Sequence, residues 1–300
     1  MIETLPQRLA RAPAVHAPGV YDPLSALLVE RAGFEAAYLS GASIAYTQIG
    51  RPDIGLVSHD HLADVTRRIR ERTDLPLIVD ADNGFGTALN VVRTVRLVEA
   101  AGASAIQIED QTSPKRCGHL SGKSVIPAVE MVGKLRAALD ARRSQNTLII
   151  ARTDAIAVFG LDEALDRADA FVECGADVVF VEAPATLDDM RTVVARLSSR
   201  VPLLANMVEG GSTPSLSRDE LSEMGFRLVI SPGALVRAYV HMAERFLTTL
   251  KEEGSTCSQR SAMLDLKQLN DRIGLTEIAA LGARYDSDLA IAVPESGDAR

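Results

Sequence analysis

Short apolar runs alternate along the chain with stretches whose apolar residues recur at helical spacing. The runs Ala14–Asp22, Ala36–Gly41, Leu75–Asp82, Ala105–Asp110, Thr147–Asp154, Val178–Pro184, Pro202–Met207 and Arg227–Pro232 are rich in Val, Ile, Leu and Ala, the first carrying the weakest signal. Near-continuous apolar character over so few residues predicts strands buried on both faces, as in a parallel sheet. Between them, Ser58–Glu71, Leu89–Ala101, Ala128–Ala141, Leu161–Cys174, Leu187–Leu197 and Ser217–Met224 have the pattern of amphipathic helices. Gly102, Gly175 and Gly225 follow three of them as expected C-cap residues. Strand-plus-helix units repeated over about 250 residues fit a (β/α)8 TIM-type barrel. An open doubly wound sheet is the alternative, disfavoured because no glycine-rich dinucleotide fingerprint follows the first strand.

Beyond the eighth strand, helices are predicted over Ala234–Glu252, Ser261–Leu269 and Leu275–Gly282, more than a closed barrel needs. The chain therefore reads as a catalytic barrel over residues 1–250 with a C-terminal helical extension and tail over 251–300. The extra helices are expected to cover a face or reach a neighbouring subunit, and Ser287–Arg300 to fray.

A barrel gathers its chemistry at the C-terminal strand ends. Here those ends are polar: Ser40, Asp80 and Asp82, Glu109 and Asp110, Arg152 and Asp154, Glu182, Asn206 and Ser231. Residues two apart on a strand face the same side, so Asp80 and Asp82 are expected to share one target. With Glu109 they suit a hard divalent cation such as magnesium; the alternative is that some of these acids cap helices or pair with Arg152. Arg152 is the natural fork for a substrate carboxylate, or else an ion-pair partner of Asp154 or Glu182. Asn206 and Glu209 would extend the polar wall. No predicted strand end carries a lysine, Lys115 and Lys123 lying in the loop after Ala105–Asp110. A Schiff-base aldolase is thereby excluded, and carbon–carbon cleavage would require a metal.

That loop contains Lys115-Arg116-Cys117-Gly118-His119. Adjacent positive charge stabilises a thiolate, so Cys117 is expected to be a proton donor or nucleophile rather than a packing residue. Of the histidines, only His119 is a functional candidate; His59 and His61 begin a helix, His16 falls in the first strand and His241 in a C-terminal helix. Cys174 and Cys257 look incidental.

The net charge of −8 argues against nucleic acid or an anionic membrane as partner. The apolar runs are strand-sized, so no membrane span is expected. Met1–Pro6 lacks the basic start and apolar core of a signal peptide, and the three cysteines have no metal-ligand spacing. The expected location is the cytoplasm.

These motifs together resemble the isocitrate lyase/phosphoenolpyruvate mutase superfamily over nearly the whole chain. The strings that carry the resemblance are Tyr38–Gly41, Gly50–Gly55, Val79–Gly86, Ile108–Gln111, Lys115–His119, Ala151–Ala155, Glu182–Pro184 and Ala205–Pro214. The loop bearing Cys117 marks the lyase branch, and the chain is similar to its short 2-methylisocitrate lyase and 2,3-dimethylmalate lyase members. The resemblance implies a helix-swapped homotetramer and Mg2+, with Mn2+ as the alternative. It implies retro-aldol (Claisen-type) cleavage of a substituted malate or isocitrate to pyruvate and a second carboxylic acid. Asp80, Asp82 and Glu109 would surround the metal, with Asp53 nearby. Ser40, Gly41 and Ala42 would hold the keto-acid carboxylate, Ala42 standing where methylisocitrate lyases often have glycine. Arg152, Glu182 and Asn206 would orient the rest of the substrate, with Tyr38 as a base. Cys117 would protonate the leaving carbon while Lys115, Arg116 and His119 stabilise its thiolate. Competing readings are oxaloacetate hydrolysis or decarboxylation, a phosphonate C–P enzyme, and a silent dicarboxylate-binding barrel. Phe159, Pro232 and Leu235 are the expected pocket-size residues.

Overall fold

The computed structural model describes residues 3–115 and 122–285. Backbone contacts divide the chain into two units, Met1–Arg237 and Ala238–Arg300. Among its described residues the first carries eight strands: β1 (Val15–Val20), β2 (Ala37–Leu39), β3 (Leu77–Asp80), β4 (Ala105–Glu109), β5 (Leu148–Thr153), β6 (Val178–Val181), β7 (Leu204–Asn206) and β8 (Leu228–Ser231). All pair in parallel in the order β6-β5-β4-β3-β2-β1-β8-β7. A further parallel bridge joins Val179 of β6 to Leu203 beside β7, so the ring nearly closes into a TIM-type barrel and the open sheet is excluded. Each strand is shorter than the apolar run that predicted it, because the ends of the runs leave the ladder to form the rims.

The period of two decides which way each side chain points. Ala17, Tyr38, Ile78, Ala105, Ile150, Phe180, Leu204 and Ile230 form one buried cluster, joined by Leu5 and Leu9 of the short helix Leu5–Leu9. The alternate residues, among them Leu39, Val79, Ile106, Ile149, Val179 and Val229, pack in a second cluster with the helices. Following the first set two residues toward each strand's C-terminus brings up Ser40, Asp80, Gln107, Arg152, Glu182 and Asn206, with Glu109 two further along β4, all buried. The same parity that builds the core thus aims the polar residues into the mouth of the barrel.

The flanking helices His59–Arg70, Ala88–Ala100, Ala128–Ala141, Leu161–Cys174, Leu187–Leu197 and Arg218–Met224 stand close to their predicted bounds. Ser58, Thr186 and Ser217 cap three of them, each accepting a backbone N–H from three residues on. Other elements were not expected. Pro23–Arg31 is a helix started by Asp22, whose carboxylate accepts from Ser25 N at 2.7 Å, with Pro23 in the first turn. After β2 the chain enters a helical turn, Gly41–Ile44, that widens into a π-helix over Ala45–Ile49 and stops at Gly50 with φ 64°.

The helix Ala234–Glu253 begins in the first unit and continues into the second. The described remainder of the second unit holds a 3-10 helix, Cys257–Ala262, and two helices, Leu266–Ile273 and Leu275–Tyr285. The single helix expected over Ser261–Leu269 is therefore broken: the Asp265 side chain accepts from Gln268 N at 2.6 Å and starts a new helix. Among the described residues, no helix is long and apolar enough to cross a membrane.

Candidate active site

A cavity of about 110 Å³ opens among the C-terminal strand ends, lined by Tyr38, Ser40, Ala42, Asp53, Asp80, Glu109, Lys115, Arg152, Asn206 and Pro232 among others. Ten of the sequence candidates or their neighbours thus meet in one place. Arg116, Cys117 and His119 lie outside the described residues.

Arg152 is the hub. Its Nε donates to Asp154 Oδ2 at 2.9 Å and its Nη2 to Asp154 Oδ1 at 3.1 Å, with Glu109 Oε2 at 3.4 Å and Glu182 Oε2 at 3.6 Å. The guanidinium lies 4.9 Å from the centre of the Phe180 ring, which walls one side. Burial opposes its charge, but Asp154, Glu182 and Glu109 outweigh burial and hold its pKa well above the ordinary range. The ion pairs with Asp154 and Glu182 expected as the alternative for Arg152 are therefore present. Asp154 is buried too, yet Arg152 and Lys123 hold it down at about 2. Behind it, Asp110 accepts from Asp154 N at 2.9 Å and Thr153 Oγ1 at 2.8 Å, and from Arg167 Nη1 at 3.1 Å. Asn206 Nδ2 donates to Glu182 Oε2 at 3.2 Å, fixing the next strand end to the same network.

The acid side is organised by β2, β3 and β4. Tyr38 Oη donates to Gln107 Oε1 at 3.0 Å, and Gln107 Nε2 donates to Asp80 Oδ1 at 3.2 Å. Burial, with the Asp80 charge close by, pushes the Tyr38 phenol well above its ordinary range. Asp82 does not continue the strand: it sits past β3 with φ 48°, and its N–H donates to Asp80 Oδ1 at 3.2 Å. The left-handed turn, not the strand period, keeps the two carboxylates together. Gly41 is the point they face, since a Cβ there would lie 3.2 Å from Asp82 Oδ1 and 3.7 Å from Asp80 Oδ2. Lys115 Nζ stands between Asp53 Oδ1 at 2.7 Å and Asp82 Oδ1 at 2.6 Å. Burial raises Asp82 to about 7 against the pull of Lys115, and raises Glu109 well above the carboxylate range against Arg152.

Among the described residues, no three His, Cys, Asp or Glu side chains are drawn together as a ready metal cluster. The donor chemistry nonetheless fits a hard divalent ion. Asp53, Asp80 and Glu109 line the cavity and Asp82 shares Lys115 with Asp53, so the donors are all oxygen. Among the described residues, the buried Glu109 Oε1 has no hydrogen-bond partner, an arrangement that a cation would satisfy.

Sequence reasoning overlooked Gln107 and Lys123. Gln107 was visible in principle as the polar residue on the interior parity of an otherwise apolar strand. Lys123 left no local signal: it lies far along the loop, yet its buried Nζ donates to Asp154 Oδ1 at 2.8 Å. Glu209 is not a cavity residue but an exposed partner of Arg237, with Nη1–Oε2 at 3.0 Å. Pro232 lines the cavity; Phe159 is largely exposed and faces Arg167 at 5.8 Å, and Leu235 is not among the lining residues.

Residues 7–251 match the family described as PEP_mutase, phosphoenolpyruvate phosphomutase. The chain is 47% identical over 260 residues to a 2-methylisocitrate lyase of Aeropyrum pernix, covering 87% of this chain and 83% of that protein. It superposes on a crystal structure of 2,3-dimethylmalate lyase with TM-score 0.90 and 34% identity, over 98% of this chain and 97% of the other. An oxaloacetate acetylhydrolase bound to 3,3-difluorooxalacetate is similar at TM-score 0.87 and 31% identity, over 94% and 96% of the two chains. With its polar strand ends, its cavity and these relatives, the chain belongs to the phosphoenolpyruvate mutase/isocitrate lyase superfamily and is an enzyme of its methylisocitrate/dimethylmalate lyase branch.

Proposed function

We propose that the protein is a magnesium-dependent carbon–carbon lyase that cleaves 2-methylisocitrate or 2,3-dimethylmalate to pyruvate and a second carboxylic acid. The observation that carries this reading is Arg152, held by Asp154 at the mouth of an acid-lined cavity. A guanidinium fixed at that point grips a carboxylate without first paying to order itself. Asp80, Asp82 and Glu109, with Asp53, would hold the metal, and Mn2+ would substitute. When bound, the ion supplies Lewis-acid stabilisation of negative charge on the substrate's 2-oxygen and keto-acid group.

The chain's own residues do the rest. Ser40, Gly41 and Ala42 hold the keto-acid carboxylate at the start of the turn after β2. Arg152, Glu182 and Asn206 orient the remaining carboxylates. The 2-hydroxyl passes its proton to one of the carboxylates lining the cavity, the C–C bond breaks, and the electron pair passes to the leaving carboxylate as an aci-anion. Tyr38 keeps its own proton, bonded to Gln107, and serves the 2-hydroxyl as a neutral hydrogen-bond partner rather than as a phenolate. Cys117 returns a proton to the carbon, and Lys115, Arg116 and His119 stabilise the thiolate that results. The residue 1–250 barrel would carry this chemistry in the cytoplasm, within a helix-swapped homotetramer. Exposed apolar side chains in the second unit, such as Leu266 and Ile278, are consistent with burial against another subunit.

The test is pyruvate release with Mg2+ from 2-methylisocitrate, 2,3-dimethylmalate and isocitrate, following oxaloacetate loss in parallel. Pyruvate from a branched substrate, abolished by chelator, supports the lyase. Silence on all three with oxaloacetate consumed would move the function to the hydrolysis carried out by the similar acetylhydrolase.

A further inference from the structure

Lys115 is an unusual neighbour for carboxylates that are expected to hold a metal. Its Nζ bridges Asp53 and Asp82 at 2.7 and 2.6 Å, and its side chain is 6% exposed. A permanent structural ion pair would account for those distances. Three features favour a replaceable one. First, the neighbouring acid and the backbone of the cluster are held without the lysine. Asp80 is held by Gln107 and by Asp82 N, and the turn beyond Asp82 is held by Lys134 Nζ donating to Asn83 O at 3.0 Å. Second, Lys115 reaches them through a flexible four-carbon stem, so withdrawing costs the backbone nothing. Third, with Lys115 in place Glu109 Oε1 still has no hydrogen-bond partner among the described residues, so the ammonium leaves the acid cluster incompletely satisfied.

A divalent ion and an ammonium cannot both sit against Asp82 Oδ1 without close repulsion between cations. We infer that Lys115 is a resident counter-ion which a divalent cation displaces from Asp53 and Asp82, so that metal loading and withdrawal of the lysine are one exchange. This rests on the metal reading above. By linkage, whatever the lysine contributes to holding the acid cluster must be overcome by the metal, and the metal must in turn expose the amine.

Two measurements on the full chain test it. In the wild-type protein, amine acetylation read by peptide mass spectrometry should rise several-fold at Lys115 when Mn2+ is added, with Lys134 as an internal reference that does not change. Unchanged or reduced labelling of Lys115 at saturating Mn2+ would overturn the exchange, independently of how any variant folds. In the second, free Mn2+ is titrated by electron paramagnetic resonance. Lys115→Met should bind Mn2+ at least about tenfold more tightly than wild type, while Lys115→Arg, which keeps the charge, should not. Equal or weaker binding by Lys115→Met overturns the exchange and leaves the metal site standing. Absence of binding by wild type and variants alike removes both.

Discussion

Arg152 and Asp154 face each other at the end of β5 across two parallel hydrogen bonds, Nε to Oδ2 at 2.9 Å and Nη2 to Oδ1 at 3.1 Å. Residues two apart near the end of a strand are well placed for this contact. Asp154 also receives Lys123 at 2.8 Å, so it ties the loop after β4 to the orientation of the guanidinium. Asp154→Asn keeps the shape but leaves two buried cations short of a countercharge. Breaking a buried pair typically costs about 3–5 kcal/mol. A comparable loss is expected in urea unfolding, with kcat/KM falling by about 10²-fold as the fork loosens. Unchanged kinetics would assign the orientation to Glu109 and Glu182 instead.

Gly19 on β1 lies directly beneath the Pro232 carbonyl, and an added Cβ would overlap that group. Pro232 both lines the cavity and accepts from Ser43 Oγ at 3.0 Å. Overpacking of this kind costs about 1–3 kcal/mol. Gly19→Ala should therefore lower stability by that order in thermal or urea unfolding and also raise KM, because the displaced backbone belongs to the pocket wall. A stable variant with unaltered KM would mean that the β8 rim yields freely.

His16 on β1 has Nε2 2.9 Å from Ser231 Oγ and its ring edge-on to Phe34 at 5.6 Å. Burial chiefly, and the Arg218 charge after it, hold its pKa below the ordinary 6.5. The unfolded chain then binds a proton that the folded chain refuses. Stability contributed by neutral His16 is full above about pH 6.5 and is lost as pH falls from there toward the lower folded value. His16→Gln should flatten the fall in urea midpoint between about pH 7.5 and 5. An equally steep fall in the variant would clear His16 of the effect.

Cys117→Ser replaces the proposed proton donor by a much weaker acid. General-acid help is typically worth about 10²–10⁴ in rate, so turnover should fall by that factor in the pyruvate assay while Mn2+ affinity is unchanged. Near-normal turnover would remove the thiol from the mechanism.

Much of the site was legible because strand parity is a local rule. Once Ile150 and Phe180 were read as buried strand residues, Arg152 and Glu182 two positions on were bound to face the same way. Asp82 reached its expected neighbour by another route, since φ 48° is a property of the turn into Asn83-Gly84 that apolar periodicity does not encode. The π-helix Ala45–Ile49 was illegible for a similar reason: its residues show no distinctive alternation that would set its widened turn apart.

The sequence by itself determined the alternation of strands and helices, the polar character of the strand ends and the family motifs, because burial period and residue chemistry are written into neighbouring positions. Tertiary structure alone decided that the β6 and β7 ends meet, that Lys115 settles between Asp53 and Asp82, and that Lys123 reaches Asp154. Those contacts join residues distant along the chain. A buried charge takes whichever opposite charge the closed barrel brings within reach, and no local pattern records that choice.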